Sequence, residues 1–260
     1  FRTKLSENLF KGLSPWLSKL PGGLVHVNVV GCALFAAISG SSAATVATVG
    51  KMSIPELRKR KYPEKLLLGS LAGSGTLGLL IPPSIILIIY GVTIEDSIAK
   101  LFMAGILPGI MIALMFMLYV IFWSILNKKL MPKSVESFSF LEKVQGSKQL
   151  LPVILLITSV IGSIYTGIAT ATEAASLGVV GALILSFFQG TLNKNTFNLS
   201  LLGATKTSCM IAFILAGSTF LSLAMGFTGL PRNLAIWIDG MNLSPYTLLF
   251  VLTIFYIILG

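Results

Sequence analysis

Long apolar runs recur along the chain and are separated by short polar stretches. Five of these runs are long enough to cross about 30 Å of hydrocarbon: 66–92, 105–127, 150–168, 174–190 and 200–228. Backbone polar groups must be satisfied internally inside lipid, so runs of this kind form helices. The pattern therefore predicts an all-α membrane protein with several spans.

Residues 21–50 contain two shorter apolar arms, 24–38 and 43–50, and neither arm is long enough to span a bilayer alone. The arms meet at Ser39-Gly40-Ser41-Ser42, a small polar segment with turn character. This arrangement predicts a re-entrant hairpin, which enters the membrane, turns at the serines and returns to its starting side.

Composition and charge agree with a membrane location. Hydrophobic residues make up 55% of the chain and charged residues only 11%, against about a quarter in soluble domains. The net charge of +10 comes from lysines and arginines clustered between the apolar runs, which is unlike a nucleic-acid-binding patch. By the positive-inside rule, we expect segments 1–20, 51–65 and 128–149 on the cytoplasmic side. Two of these segments flank the hairpin, so it must return to the side from which it entered.

The same rule organises the whole chain into consecutive segments. We expect a cytoplasmic amphipathic arm at 1–20, the re-entrant hairpin at 21–50, a broken helix with the next transmembrane helix at 51–127, a cytoplasmic loop at 128–149, scaffold transmembrane helices at 150–228, an external amphipathic arm at 229–243 and the start of a second hairpin at 244–260.

The two hairpin regions suggest an internal repeat. Each consists of a Trp-bearing amphipathic arm, a proline and a short apolar run, and the two would enter from opposite faces, as in inverted-topology repeats. Phe1 is not an initiator methionine, and Gly260 lies within an apolar run. We therefore expect a piece of a longer protein that lacks both ends and most of the second hairpin.

The run at 66–92 has helix breakers near its centre: Gly75, Gly78, Pro82 and Pro83. Irregular backbone at membrane depth must be buried in protein or line a cavity. Carbonyls freed by such a break suit a sodium ion, and amides at the start of a half-helix suit a carboxylate. Hydroxyls that could add oxygen ligands are those of Thr76, Ser84, Ser41 and Ser42. The alternative is a proline kink in which these hydroxyls bond back to their own helices.

Three motifs carry a resemblance to a known family. They are Leu-Phe-Ala-Ala-Ile-Ser-Gly-Ser-Ser-Ala-Ala-Thr at 34–45, Gly-Thr-Leu-Gly-Leu-Leu-Ile-Pro-Pro-Ser at 75–84 and Thr-Ala-Thr-Glu-Ala-Ala at 170–175. In this order they resemble the large permease subunit of the tripartite ATP-independent periplasmic (TRAP) transporters. Ala171 departs from the family pattern, which usually has proline between the two threonines.

The resemblance implies an elevator-type carrier of bacterial inner membranes that is driven by a sodium gradient. It also implies two protein partners, a small membrane subunit of the same transporter and a periplasmic solute-binding protein. The substrates of such carriers are mostly small carboxylates, including C4-dicarboxylates and sugar acids. Sodium would be the coupling ion, and no other cofactor is expected.

The same resemblance implies a location for the binding sites. It assigns substrate contacts to Ser39, Gly40, Ser41, Ser42, Pro82, Pro83 and Ser84, and a sodium site to Ser41, Ser42, Gly75, Thr76 and Gly78. The second hairpin would complete the substrate site.

The remaining ionisable residues offer little chemistry. Glu173 follows the predicted external turn, where we favour a helix-capping role over docking of the periplasmic protein. The sequence has no His-x-x-Glu metal spacing, no phosphate-binding Gly-x-x-x-x-Gly-Lys loop and no serine nucleophile with a base nearby. We therefore expect a transporter and not an enzyme or ATPase.

Taken with the residues, the resemblance implies sodium-coupled secondary active uptake of a small organic acid, which a periplasmic protein would deliver. Two alternatives remain open. One is a stand-alone dicarboxylate or ion carrier of related architecture with no periplasmic partner. The other is an intramembrane structural or assembly subunit that has no substrate of its own.

Overall fold

The structure is a computed structural model that describes residues 5–132 and 138–259, with side chains from Leu9 onward. Within these ranges every regular element is helical. The chain forms two units, one ending at Asn193 and one beginning at Lys194, and each is described by itself. Some residues of the predicted arm, basic loop and second hairpin lie outside the described residues: Arg2, Lys4, Lys133 and Gly260.

The first unit contains α1 (Leu5–Leu17), α2 (His26–Ser39), α3 (Ser42–Lys59), α4 (Glu64–Gly75), α5 (Ile85–Thr93), α6 (Ile98–Leu126), α7 (Phe140–Lys148), α8 (Leu151–Tyr165) and α9 (Ala171–Phe188). Short 3-10 turns occupy Gly23–Val25, Thr76–Leu79 and Lys128–Leu130. The second unit contains α10 (Lys194–Thr228), α11 (Leu230–Asp239) and α12 (Pro245–Leu259).

Three helices in the described ranges, α6, α9 and α10, are long and apolar enough to cross a membrane. Helices α7 and α8 pass the same test as a pair and meet at a bend of 52°, so they form one broken span or a re-entrant segment. The predicted fold class, an all-α membrane protein with several spans and broken helices, is confirmed at this level.

Helices α2 and α3 form the hairpin that the sequence predicts, with the turn at Gly40 and Ser41. The second arm is longer than the apolar run 43–50 predicts. The hairpin boundary that we placed at residue 50 falls inside α3, which continues to Lys59. Val49 and Leu57 are buried and Ile54 packs against the same core, so one apolar face continues past the basic residue Lys51. This shared face explains why the helix extends to Lys59.

Helix α2 lies at the centre of the first unit, in contact with α1, α3, α4 and α6. Its core cluster joins Cys32 and Phe35 to Leu9 of α1, Leu67 of α4 and Val153 of α8. Most of α2 is therefore buried in protein, and of the turn residues Gly40 is buried whereas Ser39, Ser41 and Ser42 are half-buried.

The segment 128–149, which we predicted as a loop, contains α7. Ser139 and Glu142 form a reciprocal capping box that begins this helix, a Ser-x-x-Glu signal that is present in the sequence. Helix α7 packs against α1, where the Trp16 indole donates a hydrogen bond of 2.9 Å to Ser147 Oγ. The Nζ of Lys143 lies 5.4 Å from the centroid of the same ring. The amphipathic arm is thus packed against protein along part of its length.

The second unit has no buried side chains in the helices that the structure describes. Helix α11 falls within the predicted external arm and carries the exposed Trp237. Helix α12 begins at Pro245, inside the segment 244–260 that was predicted as the start of a second hairpin.

Candidate functional site

The break in the predicted spanning run lies between α4 and α5. Helix α4 ends at Gly75, the 3-10 turn follows, and regular helix resumes only at Ile85. Pro82 and Pro83 have no amide hydrogen and cannot continue a helical ladder. Ser84 is the N-cap of α5, because its Oγ accepts from the Leu87 amide at 3.5 Å. The same Oγ donates to the Leu79 carbonyl at 2.5 Å, on the other side of the break.

The tip of the hairpin is bonded to this break through the backbone. The Ile85 amide donates a hydrogen bond of 3.2 Å to the Gly40 carbonyl. Gly40 has a φ of 58°, which favours glycine, and a Cβ on it would lie 2.9 Å from the Pro83 carbonyl oxygen. The tip and the start of α5 are therefore in direct contact.

A second contact forms between the 3-10 turn Thr76–Leu79 and the start of α3. A Cβ on Gly78 would lie 2.9 Å from the Ser42 nitrogen and 3.0 Å from the Ser41 carbonyl carbon. Gly75 lies directly against Val46 of α3, since a Cβ there would lie 1.9 Å from Val46 Cγ2. The structure thus brings Ser39–Ser42 together with Gly75–Ser84, the two segments that the sequence paired.

Most hydroxyls in these segments already have local partners. Ser41 Oγ caps α3 by accepting from the Ala44 amide, and Ser39 Oγ shares a 2.8 Å hydrogen bond with Thr45 Oγ1. Thr76 is exposed, and its Oγ1 donates to the Gly73 carbonyl of its own helix at 2.6 Å. The Thr76 hydroxyl thus bonds to backbone of the preceding helix, as in the proline-kink alternative, whereas the Ser84 hydroxyl bonds to the Leu79 carbonyl across the break.

Ser42 is the exception among the predicted hydroxyl ligands in the described part of the chain. Its Oγ is buried and has no hydrogen-bond partner. A buried hydroxyl without a partner costs about 1–3 kcal/mol, so such groups in native proteins call for a water, an ion or a ligand. Among the predicted hydroxyl ligands that the structure describes, Ser42 Oγ is therefore the one whose hydrogen-bonding capacity is not used by the protein.

Helix ends of both polarities meet at this place. The N-termini of α3 and α5 direct amides and partial positive charge toward it, and the C-termini of α2 and α4 direct carbonyls and partial negative charge. Within the described residues, no cluster of three or more His, Cys, Asp or Glu side chains could hold a metal ion. The geometry offers backbone and hydroxyl groups that suit an alkali cation beside a carboxylate.

Sequence reasoning missed how α6 supports the break. A Cβ on Gly105 would lie 2.7 Å from the Leu80 carbonyl oxygen, and one on Gly109 would lie 2.9 Å from Ile81 Cγ1. The two glycines are four residues apart on an apolar helix, the small-xxx-small pattern that allows close packing in membranes. The break is consequently held between the hairpin tip on one side and α6 on another.

A buried polar contact between α2 and α4 was also missed. Asn28 Nδ2 donates to Ser70 Oγ at 3.0 Å and to the Leu67 carbonyl at 3.3 Å. Ser74 Oγ donates to the Ser70 carbonyl and lies 3.4 Å from the Asn28 carbonyl. A lone Asn in an apolar arm facing two serines one turn apart was the available signal. These bonds fix the register of the hairpin against the broken helix.

Glu173 lies away from the break and begins α9. Its Oε2 accepts from the Thr170 amide at 2.8 Å, and its own amide donates to Thr170 Oγ1 at 3.3 Å, which completes a capping box. This is the arrangement expected for the capping role that we favoured.

Fold and site together define a class of protein, a helical membrane protein in which a hairpin tip meets a broken helix inside a protein core. The model of the family described as "Tripartite ATP-independent periplasmic transporter, DctM component" matches residues 2–260. The chain belongs to this family, the large permeases of TRAP transporters.

Curated relatives agree with the family assignment. The chain is 35% identical over 240 residues to the C4-dicarboxylate TRAP transporter large permease protein DctM of Pseudomonas aeruginosa, covering 92% of this chain and 56% of that protein. It is 33% identical to the isethionate TRAP transporter permease protein DctMQ of Oleidesulfovibrio alaskensis, covering 98% and 40%. It is 32% identical to the sialic acid TRAP transporter large permease protein SiaM of Vibrio cholerae, covering 98% and 60%. The chain thus spans about half the length of the relatives it matches.

Proposed function

We propose that this chain is part of a permease that takes up a small organic acid by sodium-coupled secondary active transport across a bacterial inner membrane. Family membership supports transport, and the relatives include C4-dicarboxylate and sialic acid TRAP transporter permeases. A periplasmic binding protein would deliver the solute, and a small membrane subunit would complete the permease.

The observation that carries this proposal is the contact of the hairpin tip with the break beside the unpartnered Ser42 hydroxyl. Sodium is a hard cation that takes oxygen ligands, and unwound carbonyls and half-helix C-termini supply them in transporters. Ser42 Oγ and the carbonyls of Gly75, Thr76 and Gly78 would form the ion site beside Ser41, whose own carbonyl accepts from the Thr45 amide and the Ser39 hydroxyl. The hydroxyl of Thr76 is committed to Gly73, so Thr76 would contribute its carbonyl.

The substrate carboxylate would lie next to this ion. The amides at the starts of α3 and α5 offer hydrogen-bond donors and partial positive charge, and Ser39, Gly40 and the Pro82–Ser84 segment line the same junction. A bound sodium ion adds positive charge at the junction, so ion and carboxylate stabilise each other there. Because of this coupling, the sodium ion and the carboxylate substrate would each bind more weakly without the other.

Transport then requires the loaded site to become accessible from the other side. The hairpin, α4 and α5 are joined by the Gly40–Ile85 hydrogen bond and the Asn28 contacts, so they would move as one body. In the proposed elevator mechanism this body carries the site across the bilayer against a scaffold, with segments 1–20, 51–65 and 128–149 on the cytoplasmic side.

The proposal is tested by uptake into proteoliposomes that contain the complete permease with its small subunit. A panel of radiolabelled organic acids is offered with and without an inward sodium gradient, and with and without the periplasmic protein. We expect uptake only when both are present. Uptake that ignores the periplasmic protein would favour a stand-alone carrier, and absence of saturable uptake for every acid would contradict transport by this site.

A further inference from the structure

A separate cavity lies at the base of the hairpin. It has a volume of about 890 Å³ and is lined by three segments that follow or join helices: 18–24 after α1, the α3–α4 turn, and 124–132 at the end of α6. Helix α2 separates this cavity from the hairpin tip. Its fourteen residues correspond to about 20 Å, so the cavity is distinct from the proposed sodium site.

The cavity has a strong excess of positive charge. Its lining includes one carboxylate, Glu56, and five cations: Lys19, Lys59, Arg60, Lys61 and Lys128. Glu56 is engaged by Arg60, whose Nε and Nη2 lie 2.9 and 2.7 Å from Glu56 Oε1. Four lysines from three different segments therefore face one space, and among the lining residues that the structure describes the one carboxylate is already paired with Arg60; this excess of positive charge favours an anion.

One buried hydroxyl inside the cavity lacks a partner. Ser124 lines the space and is 4% exposed, and its Oγ has no hydrogen-bond partner in the structure. The hydroxyl lies next to Gly22, since a Cβ there would come within 3.1 Å of Ser124 Oγ. A hydroxyl in this position can donate to an oxyanion that the lysines attract.

The walls of the cavity are held in place. The Leu24 amide donates a hydrogen bond of 3.1 Å to Tyr62 Oη, which joins the base of the hairpin to the α3–α4 turn. Arg58 pairs with Glu64 across the same turn, and this hydrogen-bonded pairing lowers the pKa of the Glu64 carboxyl. The Leu24–Tyr62 hydrogen bond therefore ties two of the lining segments to each other.

The position of the cavity relates it to the membrane surface. Helix α6 is an apolar candidate span that ends at Leu126, and the lining passes from Ser124 to Lys128 across that end. An apolar helix that ends in lysines places them at the level of lipid headgroups. A ligand in this cavity could therefore arrive from the bilayer or from the aqueous phase.

We propose that this cavity binds a phosphate group, with the lysines neutralising its charge and Ser124 donating a hydrogen bond to one of its oxygens. The phosphate can belong to the headgroup of an anionic lipid or to a soluble phosphate compound, and the experiment below separates the two sources.

The test uses the complete permease with its small subunit in detergent micelles. Dioleoylphosphatidylglycerol retained after exchange is counted by native mass spectrometry, with dioleoylphosphatidylcholine as the neutral lipid. The test variant is Lys61→Gln with Lys128→Gln. The matched control is Lys65→Gln with Lys129→Gln, which removes the same charge from exposed neighbours outside the cavity lining. A Ser124→Ala variant probes the unpartnered hydroxyl.

We expect the test variant to retain at least tenfold less phosphatidylglycerol, and Ser124→Ala about threefold less, while the control pair matches the unmodified protein. Because all four lysines are exposed, the melting temperature without lipid should stay unchanged in both double variants. If millimolar inorganic phosphate displaces the lipid from the unmodified protein, whereas sulfate at equal ionic strength does not, the site takes soluble phosphate. Equal loss in both double variants would mean general surface attraction and would overturn the proposal.

Discussion

The amide of Ile85 donates a 3.2 Å hydrogen bond to the carbonyl of Gly40. This bond joins the turn of the α2–α3 hairpin to the first residue of a half-helix that lies 45 positions later in the chain. Each of these segments contains backbone that could not remain unpaired in lipid. Their contact satisfies part of that requirement and brings helix ends of opposite polarity together, which is the basis of the proposed ion and carboxylate site.

Close backbone approach at Gly78 gives the first prediction. In Gly78→Ala the new methyl group would lie 2.9 Å from the Ser42 nitrogen, so the turn and the hairpin tip must separate. We expect a loss of about 1–3 kcal/mol in stability and at least a tenfold lower uptake rate. The matched control is Gly69→Ala on α4, where nothing lies within 4 Å of the added carbon. Equal uptake by the two variants would contradict the packing described for the tip.

Support of the break by α6 gives a second prediction. In Gly105→Ala the methyl group would lie 2.7 Å from the Leu80 carbonyl oxygen, which displaces the backbone between the two half-helices. We expect reduced uptake with little loss of helical signal in circular dichroism, because α6 itself tolerates alanine. Gly162→Ala in α8 has open space and should behave as the unmodified protein in both measurements.

The Asn28 contacts predict a change in stability rather than in ion binding. Asn28→Ala removes hydrogen bonds to Ser70 Oγ and to the Leu67 carbonyl, so these two buried groups of α4 each lose one partner and keep their bond to each other. We expect thermal unfolding in detergent to show a loss of about 1–3 kcal/mol, with the sodium dependence of the remaining uptake unchanged. A shift in sodium affinity without any loss of stability would show that Asn28 acts on the ion site instead.

Capping by Glu173 can be separated from docking by two substitutions. Glutamine can still reach back to the Thr170 amide, whereas alanine cannot, so Glu173→Ala should cost about 1 kcal/mol and Glu173→Gln much less. Titration of the periplasmic protein onto the reconstituted permease should give the same affinity for both variants. Weaker binding in both, with no change in thermal stability, would favour a docking role.

The sequence was sufficient to predict the elements that depend on local composition. Small polar residues at 39–42 mark the hairpin turn, and Gly75, Pro82 and Pro83 mark the helix break, because glycine permits non-helical backbone and proline lacks the amide donor that a helix needs. The pairing of the two segments was implied by the family resemblance, and the structure places Gly40 in hydrogen-bond contact with Ile85.

Features that depend on long-range packing were harder to obtain. The extension of α3 to Lys59 depends on the burial of Leu57 against other helices, which the basic residues around it conceal in the sequence. Helix α7 was missed because a polar segment of modest length was assigned to a loop, although Ser139 and Glu142 carry a capping signal. The different states of the serine hydroxyls could not be predicted either, because each depends on which backbone groups lie nearby.

Sodium dependence of uptake in Ser42→Ala tests the central claim most directly. The substitution removes the one predicted ligand hydroxyl, within the described residues, that is buried without a partner, so the unliganded fold should lose no hydrogen bond. Ser159→Ala is the control, since that hydroxyl bonds to the Leu156 carbonyl of its own helix. We predict that the sodium concentration for half-maximal uptake rises at least threefold in Ser42→Ala and stays unchanged in Ser159→Ala. An unchanged sodium dependence in correctly folded Ser42→Ala protein would contradict an ion site at the hairpin tip.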